Sequence, residues 1–281
     1  MREVAVVTDS AANLPAELVR QYHIHVVPLW LRLGERLYRD QVDITADEFY
    51  RRLRDGKGPF STSQPSVGEF VEVYQRLAEQ ARAIVSIHLP KKLSGTLSSA
   101  MAAARQVSSL PIRIVDSGSA CMGQGFVVLA AARLAAAGAS LTDVVEKMRE
   151  VISRVQLLAT LDTLEYVVRG GRLSVAANLL RPALRVKPML SLQAGQLRIL
   201  GLARGRARAA HRLLELMTER AHSGPLHVAV FHADALERAE HLRQAVAERF
   251  YCAELHLTTL TPVLGAHGGP GALGVTFYWE E

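Results

Sequence analysis

The chain has 281 residues, 49% of them apolar, which is enough for one large or two ordinary domains around a sizeable core. Its net charge of +6 favours anionic ligands or acidic partners. The arginines are spread along the chain and no basic block is interleaved with aromatics, so nucleic-acid binding is not expected.

In chain order, Val4-Ala5-Val6-Val7-Thr8 predicts a buried first strand ending at Asp9-Ser10. Asn13 is expected to cap a short helix with Pro15 in its first turn. Ile24 to Leu33 reads as extended and turns at Gly34 toward Leu37-Tyr38. Thr45-x-x-Glu48 and Ser66-x-x-Glu69 are capping boxes that open two helices, to about Gly56 and about Gln80. A strand over 83–88, a turn through Ser94-Gly95-Thr96 and a helix to about Val107 follow. Ile112 to Val115 is a strand ending in Asp116-Ser117, and helices cover about 122–137 and 141–153. Strands alternating with helices imply a parallel sheet covered on both faces, with ligands beyond the C-terminal strand ends. Three such ends here carry polar clusters.

Beyond residue 155 the pattern loosens. Gln156 to Leu161 reads as a strand, and TLEYVVRGG as a short helix closed by glycine. LRVKPMLSLQAGQLRILGLA predicts two strands turning at Ala194-Gly195. Helices at about 205–220 and 234–248 alternate with strands at 226–232 and 253–259, and ALGVTFYW is a last strand. The expected fold class is α/β in two domains: a parallel-sheet α/β/α domain over 1–155 and an α+β domain over 156–281, with the ligand between them.

Within LSGTLSSA, Ser94 is a candidate N-cap and Gly95 would let a ligand approach the backbone. Free amides, the helix dipole and the Ser94 and Thr96 hydroxyls together suit a carboxylate or phosphate. An ordinary capped helix explains the same residues. In FSTSQPS, Ser66 is explained by capping, whereas Thr62 and Ser63 are not; they fit either a plain turn or a site facing residues 94–96. Gly269-x-Gly271-x-x-Gly274 matches a dinucleotide fingerprint only formally, since no βαβ unit follows. Those glycines are expected to form a tight loop presenting His267. Arg204, Arg206 and Arg208 crowd a helix start, where cations oppose the dipole. With Arg169 and Arg172 they suit either an anionic partner or a solvated basic face. His23-x-His25 lacks nearby carboxylates, so no metal site is expected. Cys121 and Cys252 cannot make a disulfide framework and fit a reducing cytoplasm. A helix start at Cys121 would lower its thiol pKa somewhat. The first apolar run stops at Asp9 and Arg133 breaks the longest one, so cytoplasmic placement with at most transient membrane contact is expected.

Seven stretches in register along the whole chain, VTDSAANLP, STSQPS, LSGTLSSA, VDSGSACMGQG, LEYVVRGGRLS, VKPMLS and HGGPGALGV, together resemble the DegV family of fatty-acid-binding proteins. Members of that family serve as the B subunit of bacterial fatty acid kinase. The resemblance implies a long-chain fatty acid between two domains and no cofactor. It implies that Thr62 and Ser94 grip the carboxylate near the Gly95-Thr96 amides, with His267 close by. It places Arg172 and Arg204 where the kinase catalytic subunit docks and the acyl phosphate forms. On this reading the chain is a non-catalytic carrier, and a monomer is expected. Three positions depart from the family pattern: Gly269 stands where relatives commonly carry a hydroxyl, Leu202-Ala203-Arg204 where they often carry Lys-Val-Arg, and Cys121 where the residue is usually small. The rival reading is a serine hydrolase or acyltransferase with Ser94 as nucleophile, His267 as base, and Asp9 or Asp116 orienting the histidine.

Overall fold

The computed structural model describes residues 1–56, 60–173 and 186–280. Four strands, β1 (Arg2–Asp9), β2 (His25–Val27), β6 (Ala81–His88) and β7 (Ile112–Asp116), form a parallel sheet in the order β2-β1-β6-β7. Its two central strands carry apolar runs, Val4–Val7 and Ala83–Val85, because both faces are covered. Ala5 and Val7 of β1 pack with Phe70 and Tyr74 of α3 (Val67–Ala78) and Ala100 and Ala103 of α4 (Thr96–Ala104). Val4 and Val6 face the other way, toward α5 (Met122–Ala136) and α6 (Leu141–Arg154).

The second sheet runs β10-β9-β8-β13-β11-β12, from β8 (Gln156–Thr160), β9 (Val186–Gln193), β10 (Gln196–Arg204), β11 (Leu226–His232), β12 (Cys252–Thr259) and β13 (Leu273–Trp279). It is antiparallel except for the β11–β12 pair. Leu158, Val228, Val230, Val275 and Phe277 pack beneath α8 (Arg206–Arg220) and α9 (Leu236–Arg249). The opposite face meets the first half of the chain. Ala229 and Tyr278 join the core built around α5, and the Phe126 and Tyr278 rings sit 5.4 Å apart. Every residue from Met122 to Ala132 is therefore buried, which explains a helix that is apolar all round. The contact is also ionic, because Arg133 of α5 pairs with Glu254 of β12 at 2.6 Å. Among the described residues no helix is long and apolar enough to cross a membrane.

Three local expectations change. Phe60–Ser63 is not a bare turn but a strand, β5, in a small antiparallel sheet with β3 (Trp30–Leu33) and β4 (Arg36–Arg39). Asn13 does not cap the next helix, α1 (Ala16–Gln21). It takes a left-handed conformation after a 3-10 turn, and its amide bonds Thr258 Oγ1 and Thr261 N across the chain. His267 is presented by a helix, α10 (Pro262–Gly268), rather than by a glycine loop.

Candidate functional site

A cavity lies between the C-terminal ends of the parallel sheet and the inner face of the second sheet, with about 140 Å³ of room for the centres of water-sized molecules. Its walls follow strand periodicity. Leu157, Ala159 and Leu161 point into it, whereas Leu158 between them packs under α8. Leu190, Leu192 and Phe231 extend the same face. Leu89, Leu93, Ala120 and Cys121 close it from the first sheet, and Val263 and Leu264 of α10 from the side.

The polar lining consists of Thr62, Ser63, Gln64, Ser94, Arg172 and His267. Thr62 stands beside Leu31 on the inward face of β5, and its Oγ1 lies 2.8 Å from His267 Nε2. Burial, with the Arg172 guanidinium adding to it, pushes His267 down to about 4, so the ring is neutral at physiological pH. Its Nδ1 is buried and meets no hydrogen-bond partner among the described residues. The ring rests on Gly170, which closes α7 (Glu165–Arg169); a Cβ there would overlap Nδ1 and lie 2.7 Å from Cε1. Gly170 is a site residue that sequence reading treated only as a helix stop.

Ser94 is not the N-cap of α4; Gly95 holds that place. The Ser94 hydroxyl instead accepts from the Thr96 amide at 3.2 Å and lies 2.8 Å from the buried Thr96 Oγ1. The absent side chain of Gly95 makes room for Gln64, whose amide carbon lies 3.0 Å from where a Cβ would stand. Gly95 thus makes room for an internal contact.

Arg172 belongs with these residues rather than on a remote surface. Its Nε donates to Leu93 O at 3.0 Å and a second nitrogen donates to Gly170 O. Burial pulls its pKa down, yet a guanidinium stays charged at neutral pH. No carboxylate pairs with it among the described residues. An adjoining recess lined by Phe60, Tyr166 and Arg169 shares Thr62, Arg172 and His267 with the cavity, so the polar end opens outward there.

Arg204 lies elsewhere, exposed at the end of edge strand β10, in a groove against α8 that shares no residue with the cavity. Of the crowded arginines, Arg206 is paired with Asp162. Arg204 and Arg208 have no ion-pair partner among the described residues. Gly269 has φ 73°, and a Cβ there would overlap the Tyr166 ring, with Cε2 2.8 Å away.

The residues of a hydrolase do not assemble. His267 Nε2 faces Thr62, not Ser94, and Asp116 accepts from the Lys91 and Gly118 amides. Asp9 is held by His88 Nδ1 at 2.9 Å and by the Ala11 and Leu89 amides. His88 Nε2 in turn meets Ser86 Oγ at 2.6 Å, and Tyr74 donates to Ser86 at 2.9 Å. This Ser-His-Asp chain is wholly buried and takes no part in the cavity that holds Thr62 and His267, so it ties strand ends together. The Cys121 thiol is pushed up to about 12 by burial, not lowered by the helix start.

A family model for DegV, described as an uncharacterised protein family, matches residues 3–280. A DegV domain-containing protein of Streptomyces coelicolor is 39% identical over 276 residues, covering 98% of each chain. Protein DegV of Bacillus subtilis is 35% identical over 279 residues, covering 99% of each. Among solved structures, a fatty-acid-binding DegV family protein from Thermus thermophilus superposes with a TM-score of 0.92 at 32% identity over the whole of both chains. DegV from Bacillus subtilis, a fatty acid binding protein, does so with 0.91 at 34%, again over both whole chains.

Proposed function

This chain belongs to the DegV family, and from that premise we propose that its cavity binds a long-chain fatty acid, head group at the Thr62–Ser94–His267 end. The observation that carries the reading is Arg172, a cation with no acidic partner among the described residues, at the polar end of an otherwise apolar cavity. A carboxylate there meets that charge, the Thr62 and Ser94 hydroxyls, and the Gly95-Thr96 turn. The neutral His267 can donate or accept as the ligand requires. Two solved neighbours that bind fatty acids support the ligand class. Burial of about fourteen methylenes at roughly 0.8 kcal/mol each contributes on the order of 11 kcal/mol before the costs of binding. The head group then has only to be satisfied and oriented.

The finer reading is a cytoplasmic, monomeric carrier that presents the acid to a separate kinase subunit for conversion to the acyl phosphate. The recess outside His267 and Arg172 is where the phosphoryl group would arrive, and Arg204 is a docking contact on the outer edge. The lipid would lie between units spanning 1–155 and 156–281. Native mass spectrometry of the purified protein, followed by extraction, tests the ligand class; a stoichiometric free fatty acid is expected. The Thr62→Ala, Ser94→Ala double variant should still fold cooperatively, with a lowered melting temperature, and lose that adduct. Retention of stoichiometric lipid in it would overturn the head-group assignment.

A further inference from the structure

Glycine in the middle of a central strand costs about 0.5–1 kcal/mol relative to alanine, and Gly274 in β13 has no positive φ to require it. The reason lies across the sheet. The strand registers align Leu190, Ala159, Gly274 and Phe231 in one row on the cavity face of β9, β8, β13 and β11. The row is therefore large at both ends, small at Ala159 and empty at Gly274.

Side chains on a strand stand roughly perpendicular to the sheet. A phenylalanine standing that way at 231 would project into the cavity. The ring instead leans over its neighbour: a Cβ at Gly274 would overlap Phe231 Cζ and lie 2.8 Å from Cε1, and it would also stand 2.5 Å from Leu158 O on the adjoining strand. Phe231 is 3% exposed and still lines the cavity.

We infer that Gly274 is the niche that lays the Phe231 ring against the sheet, and that this pair sets the depth of the acyl cavity and so the chain length it accepts. The inference rests on the fatty-acid reading and adds a specificity-determining pair to it. Opposite effects follow from two substitutions. Gly274→Ala crowds both the ring and the Leu158 carbonyl; the side chain is the part free to move, so the ring swings into the cavity, which should favour shorter chains. Phe231→Ala removes the ring and should favour longer ones. Each further methylene that becomes buried is worth about a fourfold gain in relative affinity, so two would shift the ratio of long to short chains roughly fifteenfold.

The test is competition. Delipidated protein is equilibrated with an equimolar ladder of saturated fatty acids from lauric to arachidic, and the bound fraction is extracted and analysed. Opposite displacements in Gly274→Ala and Phe231→Ala are expected. A general loss of stability would not move the length distribution in opposite directions. If Gly274→Ala fails to fold, Phe231→Leu and Phe231→Ala carry the comparison, with a graded shift toward longer chains expected. Bound lipid with an unchanged distribution in the Phe231 variants overturns the inference alone. Wild-type protein that takes up no fatty acid overturns the fatty-acid reading, and the inference with it.

Discussion

Gly170→Ala isolates the contact between α7 and His267. Gly170 has φ −70° and ψ −7°, angles any residue adopts, so the backbone places no demand on it. The obstacle is the imidazole. The new methyl would overlap His267 Nδ1, lie 2.7 Å from Cε1 and 3.2 Å from Tyr166 O. The ring cannot swing freely, because Nε2 is bonded to Thr62 at 2.8 Å and the side chain is buried. Overpacking of this kind costs about 1–3 kcal/mol, offset by about 0.4–1 kcal/mol from the stiffer unfolded chain. A broken Thr62–His267 bond adds about 1–3 kcal/mol if its groups stay buried and unpaired. Fatty-acid affinity should fall about tenfold or more, the equivalent of about 1.4 kcal/mol. Gly171→Ala is the control. Gly171 has φ 72° with nothing within 4 Å of a Cβ, so alanine there strains only the backbone, by about 1–2 kcal/mol. Calorimetric titration of delipidated protein should find weakened binding in Gly170→Ala alone, while both variants melt earlier. Wild-type affinity in Gly170→Ala would refute the reasoning, because the ring would then have no fixed part in the site.

Asp40 is buried and pushed up to about 6 by that burial, although Ser10 Oγ and the Val263 amide donate to it. The folded state therefore holds its proton longer than the unfolded chain. Stability through this group falls as pH rises from about 4 to about 6, by roughly 3 kcal/mol in all. Asp40→Asn should raise the urea midpoint at pH 7 much more than at pH 4, and an equal change at both would count against this account. His267, held down to about 4, carries the opposite sign. Its neutral form stabilises the fold fully above about pH 6.5, and that contribution is lost as pH falls toward 4. Its ring resonances in NMR spectra should not titrate between about pH 5 and pH 8; a midpoint near the ordinary histidine value would show the ring to be solvated. Both thiols are pushed up by burial, but Cys252 is partly exposed whereas Cys121 is enclosed. Iodoacetamide should label Cys252 first in the native protein, and equal rates would mean that the cavity wall opens readily.

Much of the fold is legible because burial writes itself into periodicity. β1 and β6 are apolar runs because helices cover both faces, and α5 is apolar all round because it lies between two sheets. The extended run to Leu33 and its turn at Gly34 are legible, but β5, the strand that carries Thr62, is not, because Phe60-Ser-Thr-Ser has neither the length nor the apolar alternation of a strand and its register comes from β3. α10 is hidden by its own glycines. Gly265 lowers its helix propensity, yet the residue is needed because Tyr50 packs where a Cβ would stand. Tertiary contact overrides local preference there. Arg172 was assigned outward because a charged residue beside two glycines looks exposed; only the fold brings it against Leu93.

The cavity leaves no mark of its own in the sequence, for a physical reason. Leu157 and Ala159 face a void while Leu158 faces a helix, and both environments select apolar residues. The discriminating signal lies at the strand ends, in whether polar groups find partners. Three polar clusters follow parallel strands. Asp9-Ser10 is consumed by His88, the Ala11 and Leu89 amides and Asp40. Asp116-Ser117 is consumed by the Lys91 and Gly118 amides and by Ser119. At the third, Ser94 keeps a place in the cavity wall, next to a guanidinium and a histidine nitrogen that, among the described residues, meet no carboxylate and no hydrogen-bond partner, respectively. The contacts from His88, Leu89, Asp40 and Lys91 come from residues far apart in the chain, so spacing could find the clusters but not decide which of them remains open to a ligand.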